Sequence, residues 1–219
     1  MYRLFSALIG YLFGNFLFGY FYCKLHNVDI RTKGSGNVGA TNTVRVMGVL
    51  PGILTLLSDC FKVCLAALAS YLIFTKLGCE KDYVNLLKVY ASAGAIIGHD
   101  FPFILKGKGG KGIASSLAFT CIVLPKAVPI SVSIFIVTLL ITKYVSLSSI
   151  FAAISICVHA VVFYIIGLLT YTKKYNYEVL IIVAVLSALA IYLHKGNIKR
   201  LLNGTENKLS FHKIRRNNG

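Results

Sequence analysis

Acidic side chains are scarce in this chain: 7 Asp and Glu stand against 23 Lys and Arg, a formal charge of +16 over 219 residues. So few carboxylates, none of them clustered, leave no oxygen-rich metal site. Charge of either sign is limited to 14% of residues, while 57% are hydrophobic and the mean hydropathy is +0.74. A soluble domain of this size cannot hide that much apolar surface, so the composition excludes one and argues for an integral membrane protein. The 6 cysteines, from Cys23 to Cys157, show no CxxC spacing. That excludes a zinc site or disulfide framework, and Cys within apolar helices behaves as a small hydrophobe. Internal repeats and low-complexity tracts are also missing, and no small-residue cleavage site follows the first apolar run, which is therefore kept as a span.

What is present is a series of apolar helices interrupted by polar loops. The runs predict an all-α, polytopic membrane protein with about seven transmembrane helices, at 4–23, 49–75, 85–101, 112–124, 127–142, 147–170 and 178–193. The fourth and fifth are short, are separated by Pro125, Lys126 and Pro129, and read either as half-spans or as one broken hairpin. A single domain over 1–209 is expected, with a basic cytoplasmic tail at 210–219 that is either frayed or lying on anionic lipid.

Three polar segments stand out: SGNVGATNTVR (Ser35 to Arg45), GHDFPFILKGKGGKG (Gly98 to Gly112) and HKGNIKRLLNGTENK (His194 to Lys208). They follow the first, third and seventh helices, so parity puts all three on one side of the membrane. The same face collects Lys24, Arg31, Lys33, Lys106, Lys108 and Lys143. The positive-inside rule then makes it cytoplasmic and puts the N-terminus outside. The basic charge therefore reads as addressed to headgroups and phosphorylated ligands, not to nucleic acid.

Each segment carries phosphate-binding chemistry. Glycines at 34, 36 and 39 permit left-handed backbone, Ser35 and Asn37 add donors, and Arg45 can fork two bonds onto a phosphate. The bland alternative is a tight turn capping a helix at Thr41 or Asn42. The second segment places glycines and Lys111 before a helix N-terminus, an anion-binding arrangement. It is not a Walker A loop, because Gly112 stands where Ser or Thr is required. The alternative there is a flexible basic loop. Asp59 and Lys62 sit three apart inside the second helix and are expected to pair. His99 orients the loop, binds an anion or, as is commoner at a membrane interface, bonds structurally. In the third segment His194, Asn197 and Arg200 share a helical face, and Glu206 pairs with a nearby cation. Ser146, Ser148 and Ser149 open the sixth helix, as caps or as site residues.

These three motifs, in this order and spacing, resemble the signature motifs of the bacterial acyl-phosphate:glycerol-3-phosphate acyltransferases, the PlsY family, along nearly the whole chain. Local departures are Gly107 for a usual Phe, Ser115 for Thr, Val63 for Gly and Leu193 for Arg. The resemblance implies a bacterial inner-membrane enzyme of phospholipid biosynthesis. It would acylate the 1-hydroxyl of glycerol 3-phosphate with acyl phosphate supplied by a separate phosphate acyltransferase, without metal or other cofactor. It implies that Ser35, Asn37, Arg45 and Lys111 hold glycerol phosphate. Gly109, Gly110, Gly112 and Asn42 would hold acyl phosphate. His194, Asn197 and Ser149 would line the reacting centre, supported by Asp59, Lys62, His99, Arg200 and Glu206. The activated anhydride needs no covalent enzyme nucleophile, and the hydroxyl proton goes to His194 or to a substrate phosphate. The rivals are an anion transporter, disfavoured by the lack of an inverted repeat, and an HxxxxD acyltransferase, since no His here has Asp five positions later. A CDP-alcohol phosphotransferase fails for want of clustered aspartates.

Overall fold

A computed structural model describes residues 1–169, 171–172 and 174–209. Ten α-helices appear among them: α1 (Tyr2–Gly14), α2 (Phe18–Leu25), α3 (Ala40–Met47), α4 (Val49–Lys76), α5 (Lys81–Asp100), α6 (Ile113–Val123), α7 (Val128–Thr142), α8 (Val145–Ile165), α9 (Asn176–Leu193) and α10 (Lys195–Leu202). The fold is all-helical, and five stretches are long and apolar enough to cross a membrane: Tyr2–Leu25, Val49–Lys76, Pro125–Thr142, Val145–Ile165 and Asn176–Leu193. Helix α5 and the short α6 stand where the third and fourth of the expected helices fall. Of the two helices left open around Pro125–Pro129, the fourth is an 11-residue piece and the fifth, with its leading 3₁₀ turn, is full length. The sixth ends at Ile165, and the end expected for it, residue 170, lies outside the described residues.

The first apolar run is not one helix. It breaks between Gly14 and Phe18, where the Asn15 amide donates to the Tyr11 carbonyl and accepts from the Phe103 backbone N–H at 2.8 Å. An amide buried to 3% exposure cannot be left unpaired in hydrocarbon, so it competes with the helical ladder. The break frees the Phe16 carbonyl, which becomes a ligand of Lys62 below.

Helix α5 runs through the middle of the molecule and packs closest against α1. A Cβ on Gly10 would fall 1.8 Å from the Ala91 oxygen, and one on Gly98 would fall 2.3 Å from the Tyr11 oxygen. Small residues bring two backbones together where lipid supplies no hydrophobic drive. Leu86, Val89 and Ala95 of α5 join Val63, Phe119 and Val183 in the core. Leu57, Phe61 and Leu72 face outward as the lipid belt.

One end of the bundle is closed by ion pairs. Arg3 and Glu178 meet at 2.7 Å, Tyr90 donates to Glu178, and Lys174 meets Glu80 at 2.9 Å. The starts of α1, α5 and α9 therefore share that end, and the three polar segments gather at the other.

Candidate active site

The first segment is shaped by one side chain. Asn42, in the first turn of α3 and buried to 2%, donates toward the carbonyls of Ile30, Lys33 and Asn37 and accepts from the Ser35 N–H at 2.8 Å. The loop wraps around it through left-handed turns at Gly34 and Gly36 (φ 59° and 72°). Asn37 closes the loop by accepting from the Gly39 N–H. Asn42 lines the cavity while its amide is engaged by the loop. Its effect is to set Ser35 and, one turn along α3, Arg45 against the cavity.

In the second segment two glycine N–H groups are engaged by the preceding helix. The N–H groups of Gly109 and Gly110 donate to the Asp100 and His99 carbonyls at 3.1 and 3.0 Å. They satisfy the open carbonyls at the end of α5, a demand every helix terminus makes. Both N–H groups are thus engaged within the protein. Glycine is required for close approach: a Cβ at 110 would lie 1.8 Å from His99 Nε2, and one at 109 would lie 2.1 Å from the His99 oxygen. Gly112, left-handed at φ 66°, starts α6 and lines the cavity with the first residues of that helix.

Beneath this loop lies the buried charge cluster. Lys62 Nζ is 2.9 Å from Asp59, 2.7 Å from His99 Nδ1 and 3.1 Å from the Phe16 carbonyl. An ammonium only donates, so His99 Nδ1 accepts and the ring proton sits on Nε2. The 3.2 Å approach of Nδ1 to Asp59 follows from both groups meeting the same ammonium. The expected Asp59–Lys62 pair is thus present, and it fixes the ring on which the glycine loop rests.

The third segment continues from α9 into α10 through His194. Its Nδ1 is 2.7 Å from the Ala190 carbonyl, so Nδ1 carries the proton and Nε2 is the bare nitrogen. Asn197 donates to Glu206 at 2.9 Å, and Glu206 also accepts from Arg200 Nε at 2.8 Å. The oxygen of Asn197 accepts from Lys111 Nζ, joining the second segment to the third.

All of this converges on one cavity of about 300 Å³. Ser35, Asn37, Arg45, Lys111, His194 and Asn197 line its polar end, with Gly112, Ser149 and Glu206. An apolar arm continues between Phe119, Val128, Phe135, Ile156 and Val183. Arg200 and Lys62 act from behind the wall. Ser149 bonds the Val145 carbonyl, whereas the neighbouring Ser146, also on the wall, has a buried hydroxyl with no partner among the described residues. Sequence could place Ser146 only as one of three serines opening a helix. Its orphaned hydroxyl makes it the further candidate.

Burial and the neighbouring cations govern the titration of this end. Burial first, then Arg200 and Arg45, lower Lys111 to about 8, with Glu206 opposing. Burial and Lys111 lower His194 to about 4 against the Ala190 bond, so its ring is neutral at pH 7. Burial also lowers Arg45, which stays charged at any working pH.

A membrane bundle whose cationic cavity opens into an apolar arm is the site of an enzyme that joins a phosphorylated polar substrate to a lipid chain. Comparison with known proteins gives the family. The glycerol-3-phosphate acyltransferase family model matches residues 4–204. The chain is 37% identical to a glycerol-3-phosphate acyltransferase of Clostridioides difficile over 93% of each chain. It is 38% identical to that of Alkaliphilus metalliredigens over 95% of this chain and 97% of the relative. Crystal structures of PlsY (YgiH), an integral membrane glycerol 3-phosphate acyltransferase, superpose with a TM-score of 0.79 for the glycerol 3-phosphate form (33% identity, 97% of this chain and 98% of that one). The lysophosphatidic acid form gives 0.74. The chain belongs to the glycerol-3-phosphate acyltransferase family, and it is a multi-pass membrane acyltransferase.

Proposed function

We propose that this acyltransferase takes glycerol 3-phosphate in the polar end of the cavity and acyl phosphate with its chain in the apolar arm, yielding lysophosphatidic acid and inorganic phosphate. The observation that carries this reading is the Lys111–Asn197 contact within a cavity that also holds Arg45, Ser35 and His194. Arg45 and Lys111 neutralise the glycerol phosphate, with Ser35 and Asn37 as neutral donors. Gly112 and the start of α6 offer free helix-end N–H groups to the acyl phosphate, in place of Gly109 and Gly110. Ser146 offers its hydroxyl to the same group.

The glycerol 1-hydroxyl oxygen bonds to the acyl carbon, the bond from that carbon to the phosphate oxygen breaks, and phosphate leaves with the electron pair. The proton goes to a phosphate oxygen. An alkyl phosphate has a second pKa of about 6, which makes it a better base than His194 at about 4. His194 Nε2 accepts from the neighbouring 2-hydroxyl and so orients the attack, leaving the 1-hydroxyl proton to the phosphate oxygen, and Asn197 with Ser149 completes the wall around the reacting carbon. Positioning two anionic reactants in a water-poor, cationic site is sufficient for an activated anhydride.

The reading extends to the cell. The polar-segment end carries most of the basic residues, which supports a cytoplasmic face, an external N-terminus and an inner-membrane location. Residues 1–209 form the catalytic unit. The basic stretch 210–219, outside the described residues, serves as a headgroup-binding tail. A separate enzyme supplies the acyl phosphate. The test is a donor comparison with purified protein and glycerol 3-phosphate: turnover with acyl phosphate and none with acyl-CoA supports the reading, and the reverse overturns it.

A further inference from the structure

The apolar arm has an end, and that end is built from residues with no part in the chemistry. Helices α7 and α8 are antiparallel. Ser131 lies about 16 Å from the Thr142 end of α7 at 1.5 Å per residue, and Ser155 about 15 Å from the Val145 start of α8. Their hydroxyls, both buried, meet at 3.0 Å. One helical turn further, His159 Nδ1 donates to the Ser155 carbonyl at 2.6 Å and lies 3.2 Å from the Ser155 hydroxyl. An apolar helix pair has no need of such a cluster, and the bond clasps α7 to α8 at one depth.

The cavity ends within about one helical turn of that depth. On α8 its wall reaches Ile156 and goes no further, on α9 it reaches Val183, and on α7 the residue furthest from the polar end is Val128. By helix rise Val128 is about 21 Å from the Thr142 end, and Ser149 is about 6 Å from the α8 start. The straight arm between them is therefore about 15 Å, room for about a dozen methylenes at roughly 1.25 Å each, as a 1.5 Å C–C bond implies.

We infer that Val128, about one helical turn beyond the Ser131–Ser155 clasp that fixes its helix, is the floor against which the terminal methyl of the acyl chain is measured, so that this position sets the enzyme's acyl-length preference. The inference rests on the reading of the arm as the acyl channel. A chain that falls short leaves an unfilled apolar void. One that overruns meets Val128 on a helix that the clasp holds against its neighbour. Neither serine touches a substrate phosphate, so the floor acts on length alone.

The experiment measures kcat/KM for a graded series of saturated acyl phosphates. Val128→Phe extends the floor upward and is expected to move the optimum shorter by about two or three carbons. Val128→Ala, which keeps the fold if Phe does not, is expected to move it about one carbon longer. The KM for glycerol 3-phosphate stays unchanged in both. Ile136→Phe, on the lipid-facing side of the same helix, leaves the profile in place. Ala153→Leu, halfway along the wall, separates the two claims. If it depresses every long donor while both Val128 variants keep the parental optimum, the arm is the acyl channel and the floor is elsewhere. If none of the three alters the donor profile, the acyl-channel reading itself falls.

Discussion

The ammonium of Lys111 meets the amide oxygen of Asn197 across 86 residues of sequence. The same amide donates to Glu206, which holds Arg200. One relay thus places two cations and an amide at fixed positions around a cavity that neither the second nor the third polar segment forms alone.

Replacing Asn197 by Ala removes the acceptor of Lys111 and a donor to Glu206 together. Turnover is expected to fall by about 100-fold or more, the range seen when a preorganised polar group is deleted from an active site. The glycerol 3-phosphate KM changes less, because Arg45 and Lys111 remain. Steady-state kinetics on the purified variant decide it, and full turnover removes Asn197 from the mechanism.

The pH dependence follows from Lys111. A cation whose pKa is depressed loses its charge as pH rises through that value, here about 8. Affinity for glycerol 3-phosphate is therefore greatest near pH 7, above the substrate's second pKa of about 6, and weakens as pH rises through 8. Lys111→Arg abolishes the alkaline limb, because guanidinium does not titrate there. His194, lowered to about 4, is already neutral from pH 5 upward and gives the free enzyme no inflection near 6.5. The KM profile between pH 6 and 10 checks both statements.

The glycines of the second loop are separable. Gly110→Ala drives a methyl into His99 Nε2 and lifts the loop off α5, so Lys111 is displaced and activity is lost with the thermal midpoint lowered. At Gly107 nothing lies within 4 Å of a Cβ and only the left-handed φ of 76° opposes it. Gly107→Ala then costs about 1 kcal/mol and keeps most of the activity. Equal damage from both variants contradicts the packing role assigned to Gly110.

Breaking the buried pair on α4 leaves a charge without its partner. Lys62→Met alone is expected to cost about 3–5 kcal/mol of stability. The double variant Asp59→Leu with Lys62→Met recovers part of that loss. Thermal unfolding in detergent, run beside activity, shows whether the cluster supports the loop through the fold.

Much of this was legible in the chain. Long apolar runs such as 49–75 declare themselves by length, and helix parity was enough to bring Arg45, Lys111 and Asn197 to one end. The spacing of His194, Asn197 and Arg200 already announced α10. What sequence could not resolve was decided by packing. Asn15 looks like one tolerated polar residue in an apolar run until the Phe103 N–H is seen to require it. A glycine loop reads the same whether its N–H groups face an anion or a helix end, so the bonds of Gly109 and Gly110 to the end of α5 could not be read from the chain. Asn42 carried the chemistry of a ligand contact and spends it on the carbonyls of its own loop.

The central claim is that separate chain segments build one cationic pocket for the glycerol phosphate. Equilibrium binding of glycerol 3-phosphate to the purified enzyme without acyl donor tests it most directly. Lys111→Ala is expected to weaken binding at pH 7 by about tenfold or more, the equivalent of one charge-assisted contact, and combination with Arg45→Ala to abolish it. Unchanged affinity in both would place the phosphate somewhere else.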